Sequence, residues 1–181
     1  MKNYRDIETE TLVTLTLAGD QSAYEALVLR FQRAVIVSAA RITGSEYMAE
    51  DAAQETFVKA FRALDRFQGS SSEKTWLMRI AINTCKDIRR GAWFRHTDRS
   101  ITLDKLPEPA VPPQAESVLI TLEVMRLPAR EREAVLLRYY QNMTIAETAQ
   151  VLGISPAAVT KRLKNAHAHL DPVLKGGEEN E

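Results

Sequence analysis

The sequence predicts an all-α chain of two small helical domains joined by a flexible linker, the second domain containing a helix-turn-helix. Three observations carry this. Apolar residues recur at helical spacing along most of the 181 residues. No alternating run convincing enough for a strand interrupts them. Between 94 and 113 the periodicity lapses, and Pro107, Pro109, Pro112 and Pro113 gather near its end, where a helix interior cannot be sustained. So long a loop is uncommon inside one compact domain. The divisions are therefore 1–93, a linker at 94–113, a second domain at 114–172 and a disordered tail at 173–181.

The elements follow in order. A short helix over 8–18 stops at Gly19-Asp20. Ser22 and Glu25 fit a capping box for a second helix to residue 42, with Leu27, Phe31, Ala34, Val35 and Ser38 facing inward. Thr43-Gly44-Ser45 breaks the chain. A third helix over 46–66 has Ala53, Phe57, Ala60, Phe61 and Leu64 on its buried face. Gly69-Ser70-Ser71-Ser72 reads as a flexible loop. A fourth helix over 73–93 turns Trp76, Leu77, Ile80, Ala81, Thr84 and Ile88 inward. Beyond the linker come helices over 114–125 and from Pro128 to Tyr140. Thr144 and Glu147 form a capping box for the next helix, which ends before Gly153. Ser155 caps the last helix, with Pro156 at its first position, and it continues to Leu170.

Composition excludes several function classes. Cys85 is the only cysteine, so no internal disulfide and no cysteine-based zinc site can form. A lysine beside it invites a redox role, but a small buried residue is the preferred reading. No apolar run approaches the ~20 residues of a membrane span, and the N-terminus lacks an apolar signal core. The expectation is a cytoplasmic chain that does not itself enter a membrane. His167 and His169 stand two apart on a helix and cannot share a metal, while His96 lies in the linker. Without a phosphate loop or nucleophile elbow, neither an enzyme nor a cofactor is expected.

Lys plus Arg and Asp plus Glu both number 24, so the formal net charge is zero. Taken alone, zero argues against nucleic-acid binding, yet binding depends on local charge. Within 76–95, Arg79, Lys86, Arg89, Arg90 and Arg95 face only Asp87. Trp76 opens that helix beside the serine loop, and Asn83 lies two turns on. An aromatic, an amide and a run of cations suit single-stranded nucleic acid, though core packing explains Trp76 equally well. Within 155–170, Lys161, Arg162 and Lys164 have no acidic neighbour before Asp171. Residues 144–170 read as a helix-turn-helix, with Ile145, Ala149, Leu152, Ile154, Val159 and Leu163 inward and a cationic face for a major groove. An ordinary helical hairpin with a solvated basic face is the alternative. The third helix begins with Glu46, Glu50, Asp51 and Glu55, which fit a solvated helix start, an acid-base pair or a docking face.

Three stretches carry a family resemblance. These are Asp51-Ala52-Ala53-Gln54-Glu55-Thr56-Phe57-Val58-Lys59-Ala60-Phe61, then Phe67-Gln68-Gly69 with Thr75-Trp76-Leu77-Met78-Arg79-Ile80-Ala81-Ile82-Asn83, and the helix-turn-helix with Leu127-Pro128, Arg132-Glu133-Ala134, Glu147-Thr148-Ala149 and Val159-Thr160-Lys161-Arg162-Leu163. In this order they resemble a bacterial RNA polymerase sigma factor of the sigma-70 family, extracytoplasmic function (ECF) group. The resemblance covers 22–170. It implies that Asp51, Gln54, Glu55 and Lys59 grip core polymerase. It assigns Phe67, Gln68, Ser70, Ser71, Trp76 and Asn83 to the melted −10 element, with Lys86, Arg89 and Arg90 on its phosphates. Ser155, Thr160, Lys161, Arg162, Lys164 and Asn165 would engage the duplex −35 element. An anti-sigma factor, often membrane-anchored, is the further partner implied. Glu73 departs from the family, which often has an aromatic there, and Asn165 and His167 stand where many members are basic. A stand-alone two-domain helix-turn-helix regulator is the alternative that the second domain fits equally well.

Overall fold

The computed structural model describes the backbone of residues 4, 6–93 and 115–176, and the side chains of residues 4, 6–91 and 121–172. All regular elements among them are helical. The expected linker at 94–113 and the end of the tail at 177–181 lie outside the described residues.

In the first domain α1 (Thr9–Leu17) and α2 (Gln21–Thr43) are joined by a turn at Gly19, whose φ is +94°. The cap of α2 is Asp20, not Ser22: Asp20 is extended, and its carboxylate accepts from the Ala23 amide at 3.3 Å. Ser22 already lies within the helix. Gly44, with φ +73°, ends α2 in the left-handed conformation that glycine adopts without Cβ strain. Ser45 caps α3 (Glu46–Ala63), which tightens into a 3-10 turn at Leu64–Arg66. Ser72 accepts from the Thr75 amide at 3.2 Å at the start of α4 (Glu73–Trp93), so part of the serine loop is a helix cap.

In the second domain α5 (Ala115–Arg126) leads to α6 (Ala129–Val135), which continues as a π-helical turn, Leu136–Tyr140. The capping box at Thr144 forms as expected and starts α7 (Ile145–Leu152). Gly153, at φ +65°, makes the turn to α8 (Pro156–Gly176). Ser155 caps α8, accepting from the Ala158 amide at 3.2 Å. This helix runs past Leu170, with Pro172 inside it, so 173–176, expected in the tail, are helical.

The two domains are packed together. α4 lies against α7, and α2 touches α6. One buried cluster runs through both, from Val35, Ile42, Met78 and Ile82 to Leu136, Leu137 and Val159. A smaller one pins α1 through Tyr4, Leu12 and Val13 to Leu27 and Leu64. Polar contacts cross the junction too. Gln141 donates to Ser38 Oγ at 2.9 Å, and Lys74 Nζ donates to the Gln141 carbonyl at 2.7 Å. The Arg41 guanidinium lies 4.6 Å from the Tyr140 ring centre. Two expected core residues are exposed: Phe61 by 55% and Ile145 by 37%. The neighbouring turns explain this, since α3 buries Ala53, Thr56 and Ala60, and α7 buries Thr148 in place of Ile145.

Candidate functional site

Three surfaces collect the residues picked out above. The first is the outer face of α3. Asp51, Gln54 and Glu55 are exposed there, and Lys59 is half-buried beside them. Lys59 bridges two helices: it pairs with Glu55 at 3.6 Å and with Asp87 of α4 at 3.9 Å, and it donates to Thr84 Oγ1 at 3.4 Å. Its charge is thereby partly engaged within the chain. Helical spacing places Tyr47, Val58 and Phe61 along the same outer face as Asp51 and Gln54. Tyr47 is 74% exposed and Val58 43%. The acidic face therefore carries an apolar stripe that the sequence pattern had hidden, because Phe61 read as core. The signal was there in the 47, 51, 54, 58, 61 spacing.

The second surface is the start and outer side of α4. Phe67 and Trp76 pack with ring centres 5.2 Å apart. Both line an apolar cavity of about 30 Å³ that also touches Tyr24, Phe31, Phe57 and Glu73. That space holds water-sized occupants and is smaller than a nucleobase. Trp76 is half-buried and contributes to both hydrophobic clusters. Tyr24 below it donates to the Phe57 carbonyl, and burial pushes its phenol up to about 12. Gln68 and Ser70 are exposed and Ser71 half-buried on the approach to the helix. Asn83 is exposed two turns beyond Trp76, on the same stripe as Arg79, Lys86 and Arg90. Arg89 is rotated off that stripe.

The third surface is the outer face of α8. Thr160, Lys161, Lys164 and Asn165 are exposed on it, with Ser155 at its N-terminal end. The Thr160 hydroxyl donates to the Pro156 carbonyl at 3.1 Å, so one of its bonds stays within the helix. Arg162 is separated from this group. It is half-buried and faces a cleft shared with Lys86, Arg89 and Arg90 of α4. The structure thus brings Arg162 to the other basic helix instead of to its own neighbours.

Lys86 meets an internal anion. Its Nζ lies 3.1 Å from Glu133 of α6, whose side chain is 5% exposed. Glu133 belongs to the Arg132-Glu133-Ala134 motif of the resemblance, but the sequence assigned it no role; its signal is a charged residue immediately before the apolar run Ala134-Val135-Leu136-Leu137. Arg132 beside it is also buried and donates to the Met125 and Ile42 carbonyls, tying α6 to both α5 and α2. Burial, and secondarily the charge of Arg89, hold its guanidinium below the usual arginine range. His169 bonds to Glu131 and His167 to Tyr139, each within the second domain. Among the described residues, no group of three or more metal-ligating side chains is assembled.

Family models match both domains: sigma-70 region 2 over residues 27–95 and sigma-70 region 4 over residues 117–170. The RNA polymerase sigma-H factor of Pseudomonas aeruginosa is 30% identical, over 93% of this chain and 94% of that protein. The ECF RNA polymerase sigma factor SigM of Mycobacterium tuberculosis is also 30% identical, over 90% of this chain and 83% of its own. Among solved structures, CnrH in complex with the cytosolic domain of CnrY superposes with a TM-score of 0.69 at 29% identity, covering 92% of this chain and 96% of CnrH. RpoE of Bartonella quintana shares the fold with a TM-score of 0.72 at 22% identity, covering 84% and 96%. With both helical domains matched and relatives aligned along almost their whole length, the chain belongs to the sigma-70 family of RNA polymerase sigma factors, in the ECF group.

Proposed function

We propose that this sigma factor divides its work among the three surfaces described. The outer face of α3 docks on core polymerase through Asp51, Gln54, Glu55 and Lys59, with Tyr47, Val58 and Phe61 adding apolar contact. The start of α4 holds the melted −10 element: Phe67, Gln68, Ser70, Ser71, Trp76 and Asn83 meet bases, and Lys86, Arg89 and Arg90 meet phosphates. The face of α8 enters the −35 major groove through Ser155, Thr160, Lys161, Lys164 and Asn165, with Arg162 at its edge. Capturing an extruded base offsets part of the unstacking cost, a few kcal/mol per base. The 30 Å³ cavity under Trp76 does not admit a base as it stands, so capture takes place on the Trp76 surface or after a side-chain shift.

The observation that carries this reading is the separation of two basic helix faces onto two domains, with an acidic and apolar face on α3 of the first domain. Both promoter elements are reached only if the domains part, since Lys86 and Arg162 now face a shared cleft. A protein partner that favours the packed arrangement would hold the factor inactive, and CnrH, similar to this chain, was solved with CnrY. We place the work in the cytoplasm and assign the chain no chemistry of its own. Among the described residues, no helix is long and apolar enough to cross a membrane.

Run-off transcription with core polymerase on a promoter library tests the proposal. Sequence-dependent initiation that requires both chain and core is expected. Tight specific binding of the free chain to duplex promoter DNA, without polymerase, would instead favour a stand-alone regulator.

A further inference from the structure

Domain packing brings cations from both halves of the chain to one place. A cleft of about 540 Å³ lies between α4 and the second domain. Lys86, Arg89 and Arg90 line it from α4, and Arg130 and Arg162 line it from α6 and α8, against the single carboxylate of Glu133. Among the described residues, two of these five cations have a carboxylate partner. Glu133 takes Lys86 at 3.1 Å, and Arg90 has Asp87 of its own helix at 3.6 Å. Among the described residues, no ion pair joins a carboxylate to Arg89, Arg130 or Arg162.

Like charges gathered in a cleft repel, most strongly among the half-buried Lys86, Arg89 and Arg162, while Arg90 and Arg130 are exposed to screening water. Hydrophobic contact between the domains must overcome this, or an anion must relieve it. Guanidinium groups present paired donors that match phosphate oxygens. A single phosphate offers four oxygens, fewer than the donors that guanidinium groups on α4, α6 and α8 present. An extended nucleic-acid strand has one charge per phosphate, spread along a track that the outer face of α8 continues better. The arrangement fits several negative charges in a short compact unit.

We propose that this interdomain cleft binds a short chain of linked phosphates, as in tripolyphosphate or a nucleoside triphosphate, and that the bound anion holds the two domains together. The site exists only when the domains are packed, so its occupant stabilises that arrangement by mass action. An occupied chain would withhold Lys86, Arg89, Arg90 and Arg162 from promoter DNA. That consequence rests on the proposed promoter roles, whereas the binding itself does not.

The full chain is titrated with tripolyphosphate, a nucleoside triphosphate and orthophosphate by calorimetry at fixed ionic strength. Small-angle scattering follows the domain arrangement. One tripolyphosphate per chain is expected, with orthophosphate at least about tenfold weaker. Arg130→Gln and Arg162→Gln are each expected to weaken tripolyphosphate about tenfold, with helical content unchanged. Equal affinity for the nucleoside triphosphate identifies the shared phosphates as the ligand, and higher affinity shows that the nucleoside adds contacts; both support the site. Several weak tripolyphosphates per chain, indifferent to these variants, would overturn it. So would loss on Arg89→Gln with full binding by Arg130→Gln, since that marks a basic patch on α4 alone. Binding of a short single strand through the cleft residues, with none of tripolyphosphate, would assign the cleft to nucleic acid instead. Run-off transcription without polyphosphate reads the promoter function separately, so either idea can fail alone.

Discussion

Cys85 shows how one position is decided by its surroundings. The sequence sets it beside Lys86, which favours a thiolate, but the side chain is 1% exposed. Burial pushes its thiol up to about 12, and the Glu133 carboxylate adds to the effect. A raised thiol pKa leaves the neutral form in place throughout the physiological range. The native chain should therefore resist alkylation at pH 8 and react promptly once unfolded, which mass spectrometry reads; fast native labelling would show that the site opens. Trp76 is decided by geometry in another way, because it is both core and surface. Trp76→Ala should cost about 3 kcal/mol of stability in a denaturant titration. Trp76→Phe should keep most of the packing, and if the indole contacts bases it should still lower open-complex formation by permanganate footprinting. Wild-type melting by the Phe variant would confine Trp76 to packing. At Asp51 and Glu55, double replacement by Lys should weaken core binding at least about tenfold with helicity intact. Unchanged binding would remove these carboxylates from the interface.

Among the elements, α7 was the most legible. Thr144, Glu147 and Gly153 state its start and stop in local chemistry, and each bond is made: Thr144 Oγ1 accepts from the Glu147 amide at 3.2 Å, and the Glu147 carboxylate accepts from the Thr144 amide at 2.8 Å. These bonds favour the charged form, so the Glu147 carboxyl sits below the ordinary carboxylate range. A lowered carboxyl pKa gives stability that is present above the unfolded value and lost as pH falls through the folded one. The α7 amides should therefore lose hydrogen-exchange protection as pH falls below the ordinary carboxylate range, ahead of α4, and Glu147→Gln should remove that step. Thr144→Ala should cost about 1 kcal/mol. The capping of α2 was less legible, because Ser22 and Glu25 match a capping-box spacing while Asp20, two residues earlier, makes the bond. Periodicity likewise marked Phe61 and Ile145 as core. A pattern names a face of a helix, but only the neighbours decide how wide its buried stripe is.

At the scale of the whole molecule, packing of the domains sets what the free chain can present. Lys86–Glu133, Gln141–Ser38 and Lys74–Gln141 all span the junction. Glu133→Gln should cost about 2 kcal/mol, less than a fully buried pair, because Lys86 keeps 32% of its side-chain surface in water. Combined with Gln141→Ala, it should enlarge the radius of gyration and raise affinity for single-stranded −10 DNA. An unchanged radius with unchanged DNA affinity would show that apolar contact alone holds the domains.

The amino-acid sequence by itself determined the helices, the stops marked by Gly19, Gly44 and Gly153, the helix-turn-helix, the two basic segments and the family, because glycine turns, helical periodicity and local charge act within a few residues. Even the zero net charge resolved from sequence into basic and acidic segments that cancel. Tertiary structure alone decided that Arg162 joins α4 instead of its own helix neighbours and that Glu133 is buried against Lys86, and it settled which of two possible stripes Phe61 joins. Each depends on contacts between residues far apart in the chain, where burial and charge are set by what packs opposite.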